Sequence, residues 1–241
     1  MVDVWLQPSL DHLLGADQIG RDMFTRLLYV ARNTIALALV ITVLPFIVGI
    51  ICGFMAATLK GWTDQALSRT VDIMMAFAPL IFALMILSVV GTSIGALILV
   101  IGLLDSTRVY RLSRAVAMNI EVMKYVEAAR LLGEKIWWLM RHEILPNVMP
   151  PLVEEFGLRF CFVFLYIAAL SFLGLGIQPP TADWGGMVSE NVGAISFGIH
   201  TPLWPAGEIA FLTVGVNFIV DWFLHIARGL KEAINFTKDC P

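Results

Sequence analysis

Few residues in this chain have the type and spacing to do chemistry, and most of those drop out on inspection. The nearest approach to a metal site is "HEILP", His142 to Pro146, which opens like an H-E-x-x-H zinc helix. A proline stands where the second histidine should follow, so no zinc pair forms. No GxxxxGK[ST] phosphate loop occurs, so the chain is not expected to hydrolyse ATP itself, and there is no GxSxG nucleophile elbow. Cys52, Cys161 and Cys240 lie far apart, in no metal or disulfide spacing. They read as small packing residues and one tail thiol. His200 alone is not a metal site. What remains is charge embedded in apolar sequence. Arg159 has Glu155 four residues before it, the favourable order for a helical ion pair. Its long side chain could also reach headgroups or line a pathway. Asp221 could pair with His225 or Arg228, and Asn217 is a polar contact between helices or a pathway residue.

The elements that must position these groups are membrane helices. The chain is 59% hydrophobic and only 15% charged over 241 residues, whereas soluble domains run nearer a quarter charged. Nucleic-acid binding is excluded on the same ground, since bases are not gathered on a soluble face and the isoelectric point is near 5.8. Five segments approach the ~20 apolar residues that a crossing needs: about 33–58, 71–90, 93–108, 152–176 and 206–227. The second and third, parted by Gly91-Thr92, predict a tight hairpin. Pro45 and Pro79 fall mid-span, where membrane helices tolerate kinks. Gly49 and Gly53 form a GxxxG pair suited to close packing.

Twelve of the 16 Lys and Arg residues fall in 59–70, 108–146 and the tail, all on one side of a five-span path. The loop 177–205 has none. The positive-inside rule therefore predicts an N-terminal segment (1–32) outside the cytoplasm, a permease body (33–227) and a cytoplasmic tail (228–241). Arg108, Arg111 and Arg114 suit anchoring at a span end. Trp184 and Trp204 suit an interfacial aromatic belt. The opening residues lack a signal peptide's apolar core, and an exported start of that kind usually follows another span.

In the middle sits an ionic stretch, "EAARLLGEKIWWLMRHEILPN" (127–147). Val122, Val126, Ala129 and Leu132 predict one apolar face on a helix over 121–132. Gly133 predicts its end. Ile136, Met140 and Ile144 predict a second helix, stopped at Pro146. A linking segment of some 40 residues is long for a simple connection and suggests a docking surface.

"EAARLLG" followed by "ILP" resembles the EAA loop of importer permeases in the ATP-binding cassette (ABC) superfamily. "HLLGADQIGRDMFTRLLYVAR" (12–32), "RHEILPN" (141–147) and "SFLGLGIQPPTADWGGM" (171–187) narrow the resemblance to the dipeptide, oligopeptide and nickel permease family. The resemblance implies an all-α polytopic helical bundle of the type I importer permease fold, with six spans usual and five predicted here. It implies a bacterial inner-membrane subunit with a cytoplasmic C-terminus, carrying peptides or similar solutes without a cofactor of its own. The implied partners are a second permease, two ATPase subunits that bind the ATP, and an external solute-binding protein. Glu127, Ala128, Ala129 and Gly133, within a coupling loop at 109–150, match the segment that inserts into the ATPase. Only about ten residues precede "DHLLGAD", where the family usually has a further span. Leu14 and Ala16 replace the usual proline and threonine, and Glu143 stands at a position the broad pattern gives to an apolar residue. The competing readings are an ATP-independent channel or secondary carrier, or a truncated scaffold copy that does not transport.

Overall fold

The computed structural model describes residues 5–6, 8–9, 12–178 and 181–238, with side chains as far as residue 226. Among the described residues there is no strand, only an isolated antiparallel bridge between Ala16 and Asp22. The helices are α1 (Met23–Leu59), α2 (Gly61–Met75), α3 (Pro79–Val90), α4 (Ile94–Glu121), α5 (Lys124–Leu131), α6 (Ile136–Trp138), α7 (Leu145–Phe172), α8 (Trp184–Asn191) and α9 (Leu203–Lys238). A π-helical turn, Leu139–Ile144, joins α6 to α7, and a 3₁₀ turn, Val192–Phe197, follows α8.

Among the described residues, three helical stretches are long and apolar enough to cross a bilayer: Met23–Leu59, Ile136–Phe172 and Leu203–Ile226. The pair Gly61–Met75 and Pro79–Val90 makes a fourth if the two are counted as one broken crossing. This corrects the expectation of five. The stretch 71–90 is not one helix, because Ala78 is extended (φ −65°, ψ 120°) and Pro79 begins a new helix at its first position. A residue before proline is pushed out of the helical region, and proline has no N–H to continue the ladder. Pro45, by contrast, is held inside an unbroken α1. The expected third span runs on to Glu121 as α4, and Asp105, Arg108, Arg111 and Arg114 along it make it too polar to qualify. At the C-terminal end, α9 continues past 227 to Lys238. Cys240 lies outside the described residues, as do the side chains of Arg228, Lys231 and Lys238.

The chain divides into two compact units. One comprises Met1–Thr42, Ala78–Gly102 and Phe160–Gly215; the other comprises Val43–Phe77, Leu103–Arg159 and Val216–Pro241. In the first, α7 ends where Gly174 takes φ +81° and Leu175 N–H donates back to the Leu170 carbonyl at 2.9 Å, the usual glycine helix stop. The short helix α8 then packs onto α7. A Cβ on Gly185 would sit 2.5 Å from the Ala168 backbone, so only glycine fits there.

In the second unit, α1 and α4 meet through the GxxxG pair. A Cβ on Gly49 would lie 2.7 Å from Val109, and one on Gly53 would collide with Ser113. The Ser113 hydroxyl donates to the Gly49 carbonyl at 2.9 Å. The spacing predicted close packing at this pair but not its partner helix. Gly157 of α7 likewise leaves no room beneath Val220 of α9. The unit's main core comprises Phe54, Ala57, Ala117, Met140, Ile144, Val148 and Leu152.

Candidate functional site

The ionic segment is built around one buried carboxylate. Glu121 ends α4 with its side chain 4% exposed, and it receives Lys60 Nζ at 2.7 Å and Arg130 at 2.9 Å. Lys60, at φ 52°, is the single residue between α1 and α2, and Arg130 lies on α5. The acid therefore ties two separate segments to the end of α4. The apolar spacing predicts one helix over 121–132, which leaves Glu121 off its apolar face. In the structure that helix is interrupted at Val122-Met123, and α5 starts afresh at Lys124.

Around this anchor, α5 turns a small apolar face inward. Val126 and Ala129 are buried with Leu139, against Ile120. Glu127 and Ala128 are exposed, as are Val122, Leu131 and Leu132. The predicted apolar face is therefore correct only at its centre. Ala129, expected at the docking surface, packs inside its own chain. Val122 and Leu132, expected inside, are 73% and 84% exposed. Gly133 ends the helix at φ +84° with open space around it, a conformation that costs a side-chain-bearing residue strain.

Pro146 does not stop the following helix. The chain from Ile136 continues through the π turn into α7, so the segment after the glycine is the start of a crossing helix. Proline offers no N–H to the carbonyl four residues back and clashes with it; the widened π turn makes room. Asn147 Nδ2 donates to the Glu143 carbonyl at 2.7 Å, satisfying that acceptor locally.

Two arginines of α4 bind acids of α2: Arg111 meets Asp72 at 2.6 Å, and Arg114 forks onto both Asp64 oxygens at 2.5 and 2.7 Å. They hold helices together, where sequence suggested only anchoring. Deeper in this unit, Arg159 lies 2.6 Å from Glu155, as its spacing predicted, and 3.3 Å from Asp105. Asp105 lies in the predicted span 93–108. A lone acid and a lone base in apolar runs were the available signal for this pair. Asn217 is half-buried on α9, and Asp221 and His225 are exposed there with no ion pair between them.

In the other unit, residues of the "GADQIGRDMFTR" and "ADWGGM" regions converge. Asp17 is fully buried and accepts the N–H groups of Ile19 and Arg21, each at 2.9 Å, and the guanidinium groups of Arg21 and Arg26, each at 2.8 Å. Burial pushes its carboxyl up, but the Arg21 and Ile19 donors outweigh that and hold it below the usual carboxylate value. Arg26 also reaches Glu190 at 2.7 Å, and Asn191 accepts the Gln18 N–H at 3.1 Å. Trp184, expected in an interfacial belt, is instead 3% exposed, with its indole N–H on the Leu27 carbonyl at 3.1 Å and its ring edge-on to Phe164. Asp183 caps α8 by accepting the N–H groups of Gly185 and Gly186, and burial pushes its carboxyl up to about 6.

Residues 46–228 match the family described as binding-protein-dependent transport system inner membrane component. Among curated relatives, a putative peptide transport system permease of Brucella suis is 34% identical over 95% of this chain and 74% of its own length. The dipeptide permease DppC of Alkalihalophilus pseudofirmus is 32% identical, and the glutathione permease GsiD of Pectobacterium atrosepticum 28%, each over 95% of this chain and 73% of its own length. Two solved structures share the fold: an inward-facing form of the MetNI methionine ABC transporter (TM-score 0.69, 18% identity, 85% of this chain and 97% of that one) and an amino acid ABC transporter (TM-score 0.63, 18% identity, 84% and 94%). The chain belongs to the inner-membrane components of binding-protein-dependent transport systems: it is a permease subunit of an ABC importer.

Proposed function

We propose that this subunit carries peptides or similar small solutes, and that residues 121–146 are the handle by which separate ATPase subunits drive it. The observation that carries the coupling role is the surface at Glu127 and Ala128. There an acid and a small residue stand exposed beside bare Leu131 and Leu132 on a segment otherwise rich in charge. Exposed apolar side chains grouped in this way mark a binding surface. Glu127 would meet a basic group of the ATPase, Ala128 would allow close approach, and Gly133 would set the turn that presents them. Ala129 would support the helix from inside. Closure of a pair of ATPases would rock packed helices as bodies. A second permease would complete the pathway, with Arg159, Asn217 and Asp221 as candidate polar groups along it or between helices. A solute-binding protein would deliver cargo on the face opposite the C-terminus, which this reading puts in the cytoplasm. The peptide assignment rests on what the relatives are named for.

The test is cross-linking in the assembled importer. Ala128→Cys is expected to capture an ATPase subunit, while Glu127→Lys leaves insertion intact and uncouples uptake from ATP hydrolysis. Labelling of the same cysteine from the periplasm would overturn the reading, and so would normal uptake by Glu127→Lys at normal protein levels.

A further inference from the structure

A cleft of about 370 Å³ in the second unit runs between the last turns of α1 and the helical turns at 137–145, with Ile50, Ile51, Phe54, Trp137, Met140 and Arg141 in its lining. Its walls are apolar, and Arg141 brings the only charge. That guanidinium is exposed, and among the described residues no carboxylate lies within ion-pairing distance of it. Of the other arginines in this unit, Arg111, Arg114, Arg130 and Arg159 each have an acid within 3.3 Å.

Depth adds a second constraint. Ile51 and Phe54 precede the end of α1 at Leu59 by eight and five residues, which places them roughly 12 and 8 Å inside that end. Trp137 and Arg141 fall in the first turns of the Ile136–Phe172 crossing helix. The Ile51 end of the cleft is thus the deeper one, and Trp137 and Arg141 bring an indole and a guanidinium, groups that settle at the headgroup boundary. An apolar trough with one unpaired cation at its polar end complements one kind of molecule.

The geometry points to a bound anionic phospholipid of the surrounding bilayer. Its phosphate sits on Arg141 and an acyl chain lies along Ile50, Ile51 and Phe54. The cleft offers a peptide no acceptor for its backbone N–H groups, and a free phosphate would leave the apolar walls bare. This inference rests on the chain's place in an inner-membrane family; Trp137 and Arg141 lie within the 121–146 handle, but after Gly133 and apart in sequence from Glu127 and Ala128, which carry the coupling reading.

Native mass spectrometry of the purified full chain tests it, with added dioleoyl phosphatidylglycerol, phosphatidylcholine of the same chains, or inorganic phosphate. Wild type is expected to hold phosphatidylglycerol about fivefold more tightly than phosphatidylcholine, the scale of one basic side chain at an anionic surface. Arg141→Gln abolishes that preference and Arg141→Lys keeps most of it. Ile51→Trp, which fills the trough, weakens both lipids. Circular dichroism confirms that each variant is folded. Equal preference in wild type and Arg141→Gln overturns the inference. So does displacement of the lipid by inorganic phosphate. So does a photoreactive side chain at position 137 that captures no lipid in native membranes. Neither uptake nor ATP hydrolysis enters the readout, so the coupling reading and this one can fail separately.

Discussion

Glu121 and Arg130 face each other at 2.9 Å, with the acid buried and the base half-exposed, and Lys60 approaches the same carboxylate from the other side at 2.7 Å. This asymmetry predicts unequal mutants. Glu121→Gln leaves two cations that water already solvates, so it should cost about 1 kcal/mol or less. Lys60→Met combined with Arg130→Met leaves the carboxylate buried and alone, at a cost of about 3 kcal/mol or more. Thermal melts of the two variants decide this. A larger loss in Glu121→Gln would mean that the carboxylate is not buried as described.

Asp183 makes the cap of α8 pH-sensitive. Its carboxyl, pushed up to about 6 against an ordinary 3.8, is protonated over a pH range in which the unfolded chain would ionise. Its folded form is therefore favoured at low pH, and that contribution is lost as pH rises from about 4 through about 6. At roughly 1.4 kcal/mol per unit the full swing approaches 3 kcal/mol. Protection factors of the 184–191 amides, which divide out the intrinsic base catalysis of exchange, should be higher at pH 5 than at pH 7.5. Asp183→Asn, which keeps an acceptor for the cap, should flatten that difference; a persisting difference would assign it to another group.

Packing at Gly185 admits no side chain. Gly185→Ala places a methyl against the Ala168 backbone and should cost about 1–3 kcal/mol, the usual range for overpacking. Gly207→Ala, with nothing within 4 Å of the added carbon, is the matched control on α9 and should be neutral or slightly stabilising. Melting temperatures that fall equally in both would count against close packing of α8 on α7.

Arg159 balances two acids in an apolar part of the chain. Arg159→Leu strands Asp105 and Glu155 and should cost about 3–5 kcal/mol, seen as a loss of folded protein in the membrane fraction. Adding Asp105→Leu and Glu155→Leu should restore most of it, because an apolar replacement of an entire buried ion cluster is often neutral. If the triple variant transports normally, the cluster is structural. If it folds but does not transport, the cluster belongs to the pathway.

Much of this architecture is legible locally. Apolar length marked the crossings at 33–58, 152–176 and 206–227, although the helices of the first two begin earlier, at Met23 and Ile136. Glycine spacing marked the close-packed stretch of α1 but not its partner helix, and Gly133 marked the end of α5. What escaped depends on partners distant in sequence. The Gln18 to Asn191 bond joins residues 173 apart, and no periodicity announces such a pair. Trp184 has the composition of a boundary residue, and only the Leu27 carbonyl shows that it belongs inside. Ala129 and Leu132 share one predicted stripe, but α5 is too short to keep both against the same neighbour. Proline misled twice, at Pro79 and Pro146. Whether it bends, breaks or is absorbed depends on the backbone just before it, and that is not written in the residue itself.

The π turn at Leu139–Ile144 has one more consequence. A widened turn amounts to one surplus residue, and each residue of an α-helix advances the azimuth by about 100°. The side of the rod that bears Trp137 is thus phased separately from the side that bears Glu155 and Arg159. The chain can therefore aim its waterline surface and its buried charges in directions that an uninterrupted helix would have locked together.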